Sequence, residues 1–266
     1  MEIDNILGFI YVSAWSVSMY SPLITNWRHK SARAMSTDFV LLNLTGYFYL
    51  VCSLTLQLYK WLPEKPDDTV ERPKLSGFDY CYCLHGFCLT AIMTTQLFYG
   101  RELWGFTDEY RGRMKKIYKR VLMISIFTFC LVTLQFVYDN RVLGWDNSRT
   151  LIYCNKLFFL KITMSLIKYI PQVLHNYERK SMKGFAISGV FLDITGGIAS
   201  IIQLICQVLK DTNINLDVIV SNFGKVGLAL VTLMFNFIFI SQWLIYEKTS
   251  KGNEHESLGN KEKQMT

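Results

Sequence analysis

Seven apolar stretches, each about the length of a membrane-crossing helix, dominate this sequence. Crossing a bilayer as a helix takes roughly 20 mostly apolar residues, because each unpaired backbone amide in hydrocarbon costs several kcal/mol. The stretches cover residues 6–25, 39–59, 80–99, 121–138, 157–174, 187–209 and 226–246. Hydrophobic residues make up 51% of the chain, which also favours a membrane class. The sequence therefore predicts an all-α integral membrane protein with seven transmembrane helices.

The basic residues divide unevenly between the two sets of connections. Residues 27–37, 101–120, 177–186 and 247–266 together hold seventeen Lys and Arg, whereas residues 60–79, 139–156 and 210–224 hold eight. Because basic loops stay on the cytosolic side, the amino terminus is predicted to be lumenal and the carboxyl terminus cytosolic. These loops account for most of the net charge of +7, so no nucleic-acid partner is predicted from it.

The chain repeats itself at an offset of 150 residues. Identical pairs include Asn26 and Asn176, Lys30 and Lys180, Ser31 and Ser181, Val40 and Val190, Thr45 and Thr195, and Gly46 and Gly196. Four helices separate the two copies, so both have the same orientation and form a parallel repeat. This predicts two triple-helix bundles, at residues 1–100 and 151–247, joined by a linker helix within 101–150. Residues 248–266 are predicted to be a disordered cytosolic tail.

A proline lies near the predicted cytosolic end of the first helix of each repeat. These are Pro22, after Tyr20 and Ser21, and Pro171, which Gln172 follows. Proline removes one backbone hydrogen bond and clashes with the preceding turn, so each helix is expected to kink. We predict hinges at Pro22 and at Pro171 with Gln172, and a static bend remains the open alternative for both.

Asp193 is the strongest functional signal in the chain. It lies six residues into an apolar stretch, where an ionised carboxylate is costly unless it is paired or faces water. Desolvation favours the neutral acid and a nearby cation favours the ionised form, so a conformational change can load and release a proton. We predict a proton-coupling role for Asp193, with a buried structural hydrogen bond as the alternative.

Other polar side chains in or near the apolar stretches predict a cavity for a small zwitterion. Lys161 and Lys168 are two turns apart and share one helix face. Amides such as Asn43 and Asn176 donate and accept hydrogen bonds, which suits both ammonium and carboxylate groups. Lys225 opens the last apolar stretch, and snorkelling to the membrane surface is the alternative for Lys168 and Lys225.

Metal binding and catalysis find little support in the sequence. Cys81, Cys83 and His85 are spaced two residues apart, so on a helix successive members diverge by about 200°. A closed metal site also needs a fourth ligand that the sequence does not identify. No nucleophile, base and acid gather on one segment, so we predict neither an enzyme nor a metal or other cofactor.

At these motifs the chain resembles the cystinosin family of PQ-loop proteins, specifically a fungal member. The resemblance extends from Ile10 to Tyr246. It includes residues 11–16, 26–28 and 38–46, Lys168-Tyr169-Ile170-Pro171-Gln172, Lys180-Ser181 and residues 192–197. The resemblance implies a vacuolar, lysosomal or endosomal carrier that exports L-cystine to the cytosol together with a proton. By position, Asp193 would be the coupling carboxylate, and the cavity would be lined by Asn43, Lys161, Lys168, Asn176 and Lys225.

Two residues depart from the family pattern. Ser21-Pro22 replaces the first PQ dipeptide, which moves the proline by one residue, or about 100° around the helix. Asn236 stands where the animal proteins have a second acid on the seventh helix. An amide cannot carry the proton, so coupling that needs two carboxylates would require another group in this chain.

Two alternatives to a cystine–proton symporter remain. Similar helical bundles serve as membrane receptors or scaffolds in the secretory and endosomal system, and a fold does not fix a function. The other alternative is a carrier for a different small solute. Lys161 and Lys168 disfavour a cationic amino acid, and a neutral sugar would leave both charges without a partner.

Overall fold

A computed structural model describes residues 3–63, 77–107, 112–210 and 230–247. Every regular element in these ranges is a helix. In order they are α1 (Ile3–Ser18), α2 (Tyr20–His29), α3 (Thr37–Tyr59), α4 (Gly77–Phe98), α5 (Gly100–Trp104), α6 (Lys116–Leu143), α7 (Asn147–Ile167), α8 (Tyr169–Arg179), α9 (Ile187–Lys210) and α10 (Leu230–Glu247). The predicted all-α architecture is confirmed.

Six helices in the described ranges are long and apolar enough to cross a membrane. They are Ile6–His29, Thr37–Tyr59, Tyr80–Phe98, Lys116–Leu143, Asn147–Arg179 and Leu230–Glu247. The seventh predicted stretch lies on α9, whose apolar part, Ile187–Gln203, is shorter. Each predicted stretch thus coincides with a helix, although the last one begins outside the described residues.

Two of the spans are broken at the positions that the prolines dictate. Pro22 has no N–H to donate to the carbonyl of Ser18, and α1 ends at Ser18. In the same way α7 ends at Ile167, four residues before Pro171. Within its repeat, Pro22 comes one residue later than Pro171, and the first break is displaced by the same one residue. As a result α2 has 10 residues and α8 has 11.

The segments after the two breaks end in matching turns. Lys30 and Lys180 both adopt a left-handed conformation with φ of 48°. Their backbone N–H groups donate to the carbonyls of Trp27 and Tyr177, each at 3.3 Å. The ammonium groups lie over those aromatic rings, 5.0 Å from Trp27 and 3.1 Å from Tyr177. The sequence repeat is therefore a repeat of backbone conformation and of local contacts.

The connection between α6 and α7 is much shorter than the predicted range of 139–156. Helix α6 continues to Leu143, and α7 begins at Asn147. Asp146 caps α7 by accepting a 3.0 Å hydrogen bond from the backbone N–H of Arg149. Polar residues such as Lys156 lowered the hydropathy of this part of the sequence, but they did not interrupt the helix.

The chain forms two compact units that combine helices from both repeats. One unit comprises Met1–Ala34, Phe106–Asp108 and Val173–Thr266, and the other comprises Met35–Gly105 and Glu109–Gln172. The most extensive packing joins α1 to α9 in the first unit and α3 to α7 in the second. The repeat relates α1 to α7 and α3 to α9. Each unit therefore pairs the broken helix of one repeat with the second helix of the other.

The core of the second unit lies between α3, α6 and α7. Tyr153 stacks on Phe136 with ring centroids 4.3 Å apart, and its hydroxyl pairs with the Thr133 hydroxyl at 2.8 Å. The Tyr49 hydroxyl similarly meets that of Ser125 at 2.9 Å. The hydroxyls of these two pairs thus satisfy each other inside the apolar core.

Candidate functional site

In the second unit, the side chain of the residue at the helix break contacts an amide on a neighbouring helix. Lys168, the residue between α7 and α8, donates from Nζ to Oδ1 of Asn43 on α3 at 2.8 Å. The ammonium also lies 4.9 Å from the ring centre of Tyr169 and 5.5 Å from that of Phe39. These aromatic faces stabilise a cation that an apolar span would otherwise disfavour.

Asn43 connects this cation to a third helix. Its Nδ2 lies 3.5 Å from the hydroxyl of Thr90 on α4, at the long limit for a hydrogen bond. Asn43 is six residues past the first residue of α3, or about 9 Å along the axis. The group of Lys168, Asn43 and Thr90 therefore lies within the span and offers donors suited to a carboxylate.

Lys161 is deeper in α7, about 10 Å along the helix from Lys168. It is half-buried. A Cβ on Gly46 of α3 would be in ordinary contact with the Lys161 carbonyl oxygen, at 3.7 Å, so α3 packs against α7 at this level. Lys161 thus lies on the part of α7 that packs on α3, and its role in a solute cavity stays a prediction.

Gln172 of α8 contacts the start of α3 in this unit. Its Oε1 accepts a 2.8 Å hydrogen bond from the backbone N–H of Ser36, and Gln172 is 1% exposed. Ser36 in turn caps α3 by accepting a hydrogen bond from Phe39 N–H at 3.4 Å. The glutamine that follows Pro171 therefore ties the segment after the break to the first turn of α3.

The first unit holds the carboxylate at the position equivalent to Asn43. Asp193 lies on α9 and is half-buried. Its backbone carbonyl accepts a 3.3 Å hydrogen bond from the indole N–H of Trp15 on α1. A Cβ on Gly196 would be 2.5 Å from Cδ1 of Trp15, so the indole is packed closely against α9 one turn from the acid.

The repeat gives the two units equivalent contacts with different chemistry. Gly46 packs on Met164 in one unit, and its equivalent Gly196 packs on Trp15 in the other. Trp15 and Met164 each lie seven residues before a proline. By the same count, Met19 is the equivalent of Lys168. The position paired with Asp193 by the repeat is therefore an uncharged thioether rather than an ammonium.

Asn236 lies at the same level as Asp193, on the neighbouring helix. Gly197 of α9 contacts Leu233 of α10, and Phe191 contacts Trp243, so the two helices are antiparallel. Asp193 is one turn from Gly197, and Asn236 is one turn from Leu233 in the matching direction. Asn236 is 1% exposed, and its Nδ2 has no hydrogen-bond partner among the described residues.

Asn176 has a packing contact in this structure. It is fully buried, and its Nδ2 donates to Oε1 of Gln242 on α10 at 3.2 Å. Gln242 donates onward to the Val173 carbonyl at 2.9 Å. Its role as a substrate ligand stays a prediction, and Lys225 lies outside the described residues.

Sequence reasoning missed several residues at these positions. Gln242 and Thr90 are polar groups inside apolar stretches, and that alone is a signal of buried polar contacts. Trp15 and Met19 give no such signal, because aromatic and thioether side chains are ordinary in a membrane helix. Their importance follows only from which helix packs on α9.

Comparison with known proteins matches the repeat found in the sequence. A family model described as PQ loop repeat matches residues 4–62 and 153–212. The chain is 55% identical over 254 residues to the "Cystine transporter" of Saccharomyces cerevisiae, covering 96% of this chain and 97% of that protein. It is 32% identical over 259 residues to the "Cystinosin homolog" of Dictyostelium discoideum, covering 96% and 85%. The bovine "Cystinosin" is 31% identical over 254 residues, covering 92% and 64%.

Two broken helices, two copies of one turn and polar groups within the spans define a PQ-loop repeat membrane protein. Within that class, this chain belongs to the cystinosin family, as a fungal member.

Proposed function

We propose that this chain is a proton-coupled transporter that exports L-cystine to the cytosol from the lumen of a vacuole, lysosome or endosome. Asp193 is the observation that carries the proposal: a half-buried carboxylate within the apolar part of α9, level with the buried amide of Asn236. Ionisable groups inside membrane spans are costly and typical of proton and solute pathways. The 55% identity to a protein named a cystine transporter supports cystine as the substrate.

The chemistry of cystine suits the polar groups found in each unit taken by itself. Each end of the molecule carries an ammonium and a carboxylate. Lys168 and Asn43 provide donors for a carboxylate, and Lys161 adds a second cation deeper on the same helix. Asp193 provides an acceptor for an ammonium or a proton. A transporter that works by alternating access would bind cystine and the proton in one state and release both in another.

Direction and topology follow from the same proposal. The distribution of basic residues supports a lumenal amino terminus and a cytosolic carboxyl terminus. A lumen more acidic than the cytosol would keep Asp193 protonated on the lumenal side and allow proton loss on the other side. The proton gradient would then drive cystine outward from the compartment.

Uptake by cells that display the protein at their surface tests the proposal, because the lumenal side then faces the medium. We expect labelled cystine uptake to be faster at acidic than at neutral external pH. Asp193→Asn should lose this acid stimulation while still exchanging labelled for unlabelled cystine, since an amide binds but does not titrate. Asp139→Asn, near the end of α6, is the matched control and should behave like the unmodified protein.

Two results would count against the proposal in different ways. Absence of cystine uptake above control cells, with surface expression confirmed, would overturn the substrate and favour a receptor or a carrier for another solute. Uptake that remains acid-stimulated in Asp193→Asn would overturn the coupling role alone.

A further inference from the structure

A groove of about 710 Å³ runs between α6 and α7 in the second unit. Its walls are mostly apolar and include Val121, Val132, Phe159 and Leu160. Along α6 the lining extends from Val121 to Val132, or about 16 Å. The volume lies within the range of small-molecule sites, and the elongated shape suits a chain-like occupant.

The groove is open on the side of the helices that faces a bilayer. Ile124 on α6 is 65% exposed, and Phe159 and Ile152 on α7 are 68% and 53% exposed. All three line the groove and belong to candidate membrane spans. In a membrane this opening meets hydrocarbon rather than water, so the occupant must reach it through the lipid phase and must itself be largely apolar.

One end of the groove carries a positive charge. Lys156 is exposed, and its Nζ lies 3.5 Å from Oε1 of Gln135. No Asp or Glu is among the residues that line the groove. Gln135 is one turn from Asp139, near the polar end of α6, so the ammonium lies close to the depth of lipid headgroups. A cation at this depth can extend toward the membrane surface, where a lipid phosphate is a suitable anionic partner.

We propose that the α6–α7 groove binds an anionic phospholipid. One acyl chain lies along the apolar walls toward Val121, and the phosphate contacts the ammonium of Lys156 with Asn155 beside it. A zwitterionic lipid would fit the walls but would bring its own cation toward Lys156. A second copy of the chain or a helix of another protein would cover the apolar rim, but neither offers an identified acidic group to pair with Lys156.

Four variants separate the charge and the shape of the groove from general effects. Lys156→Gln removes the ammonium, and Thr128→Trp fills the groove from α6. Arg141→Gln removes a basic residue at the same end of α6 outside the groove lining. Ile126→Trp adds the same bulk two residues from Thr128, at an exposed position that does not line the groove. Thermal unfolding of each purified variant establishes that it is folded.

The measurement is lipid retention by native mass spectrometry after equilibration with mixed vesicles of phosphatidylglycerol and phosphatidylcholine. We expect the unmodified protein to retain one phosphatidylglycerol in preference to phosphatidylcholine. Lys156→Gln should weaken this retention about tenfold, the effect of one hydrogen bond to a charged group. Thr128→Trp should abolish retention of either lipid, and both control variants should retain phosphatidylglycerol.

Equal retention of the two lipids by the unmodified protein would overturn the proposal. So would phosphatidylglycerol retention that is unchanged in both Lys156→Gln and Thr128→Trp. A lipid-free dimer that Thr128→Trp disrupts and Ile126→Trp preserves would instead assign the groove to a second copy of the chain.

Discussion

Lys168 donates a 2.8 Å hydrogen bond to Asn43 across the α3–α7 packing, at the residue where the proline-broken span changes from α7 to α8. The break places a cation beside the first two turns of a neighbouring helix. Asn43 holds the ammonium of Lys168 through a neutral amide. A cation positioned in this way is suited to binding an anionic group of a solute.

Asn43→Asp tests whether the charge of Lys168 serves substrate binding. The new carboxylate would form an ion pair with Lys168 in a poorly solvated place, where opposite charges attract strongly. We expect the KM for cystine to rise about tenfold or more, with surface expression unchanged. Asn140→Asp, at the end of α6, is the control for an added acid. An unaltered KM in Asn43→Asp would exclude Lys168 from substrate binding.

Replacing Asn236 should raise the stability of the protein while lowering its transport activity. A buried amide whose Nδ2 has no hydrogen-bond partner among the described residues costs about 1–3 kcal/mol. Asn236→Leu should therefore raise the thermal unfolding temperature in detergent. If the amide serves Asp193 or the solute, the same variant should lose most cystine uptake. A variant that is stabilised and fully active would show that Asn236 has no role in transport.

Gly196→Ala should destabilise the first unit by forcing the indole of Trp15 away from α9. The added Cβ would be 2.5 Å from Trp15 Cδ1, and overpacking of this kind costs about 1–3 kcal/mol. The equivalent change, Gly46→Ala, places its Cβ 3.2 Å from the Cβ of Met164 and should cost less. Thermal unfolding of both variants gives the comparison. Trp15→Phe should relieve part of the Gly196→Ala effect, and full additivity of the two changes would contradict the contact.

Gln172→Leu should destabilise the protein through a single lost acceptor. The backbone N–H of Ser36 would be left buried without its 2.8 Å partner, at a cost of about 1–3 kcal/mol. Gln172→Glu keeps an acceptor oxygen at the same distance and should retain more of the stability. The check is the unfolding temperature of the two variants, and equal losses would mean that the hydrogen bond to Ser36 contributes little.

Helix positions and the repeat were predictable because both depend on local sequence. Apolar length identified the spans, and Pro22 and Pro171 located the breaks through the hydrogen bonds that they cannot donate. The pairing of helices was not predictable in the same way. The sequence of one repeat does not predict that α1 packs on α9 or that α3 packs on α7, because each apolar helix face could pack on several neighbours.

The site was predicted in part for the same reason. Charged and amide residues within apolar stretches stand out by their cost, which identified Asp193, Lys161, Lys168 and Asn43. Their partners depend on helix register. The contact of Asn176 with Gln242 and the alignment of Asn236 with Asp193 arise from packing on α10, and hydropathy carries no information about that packing.

Because α2 is one residue shorter than α8, equivalent residues of the two repeats are related by different offsets before and after this helix. Upstream of each proline the equivalent residues differ by 149, and downstream of the turn they differ by 150. With both rules applied, Lys168 corresponds to Met19 and Asn43 corresponds to Asp193. A chain assembled from the first half used twice would place methionine with asparagine at these positions, and one assembled from the second half used twice would place lysine with aspartate. In this chain each unit instead has one ionisable member at these positions, Asp193 in the first unit and Lys168 in the second.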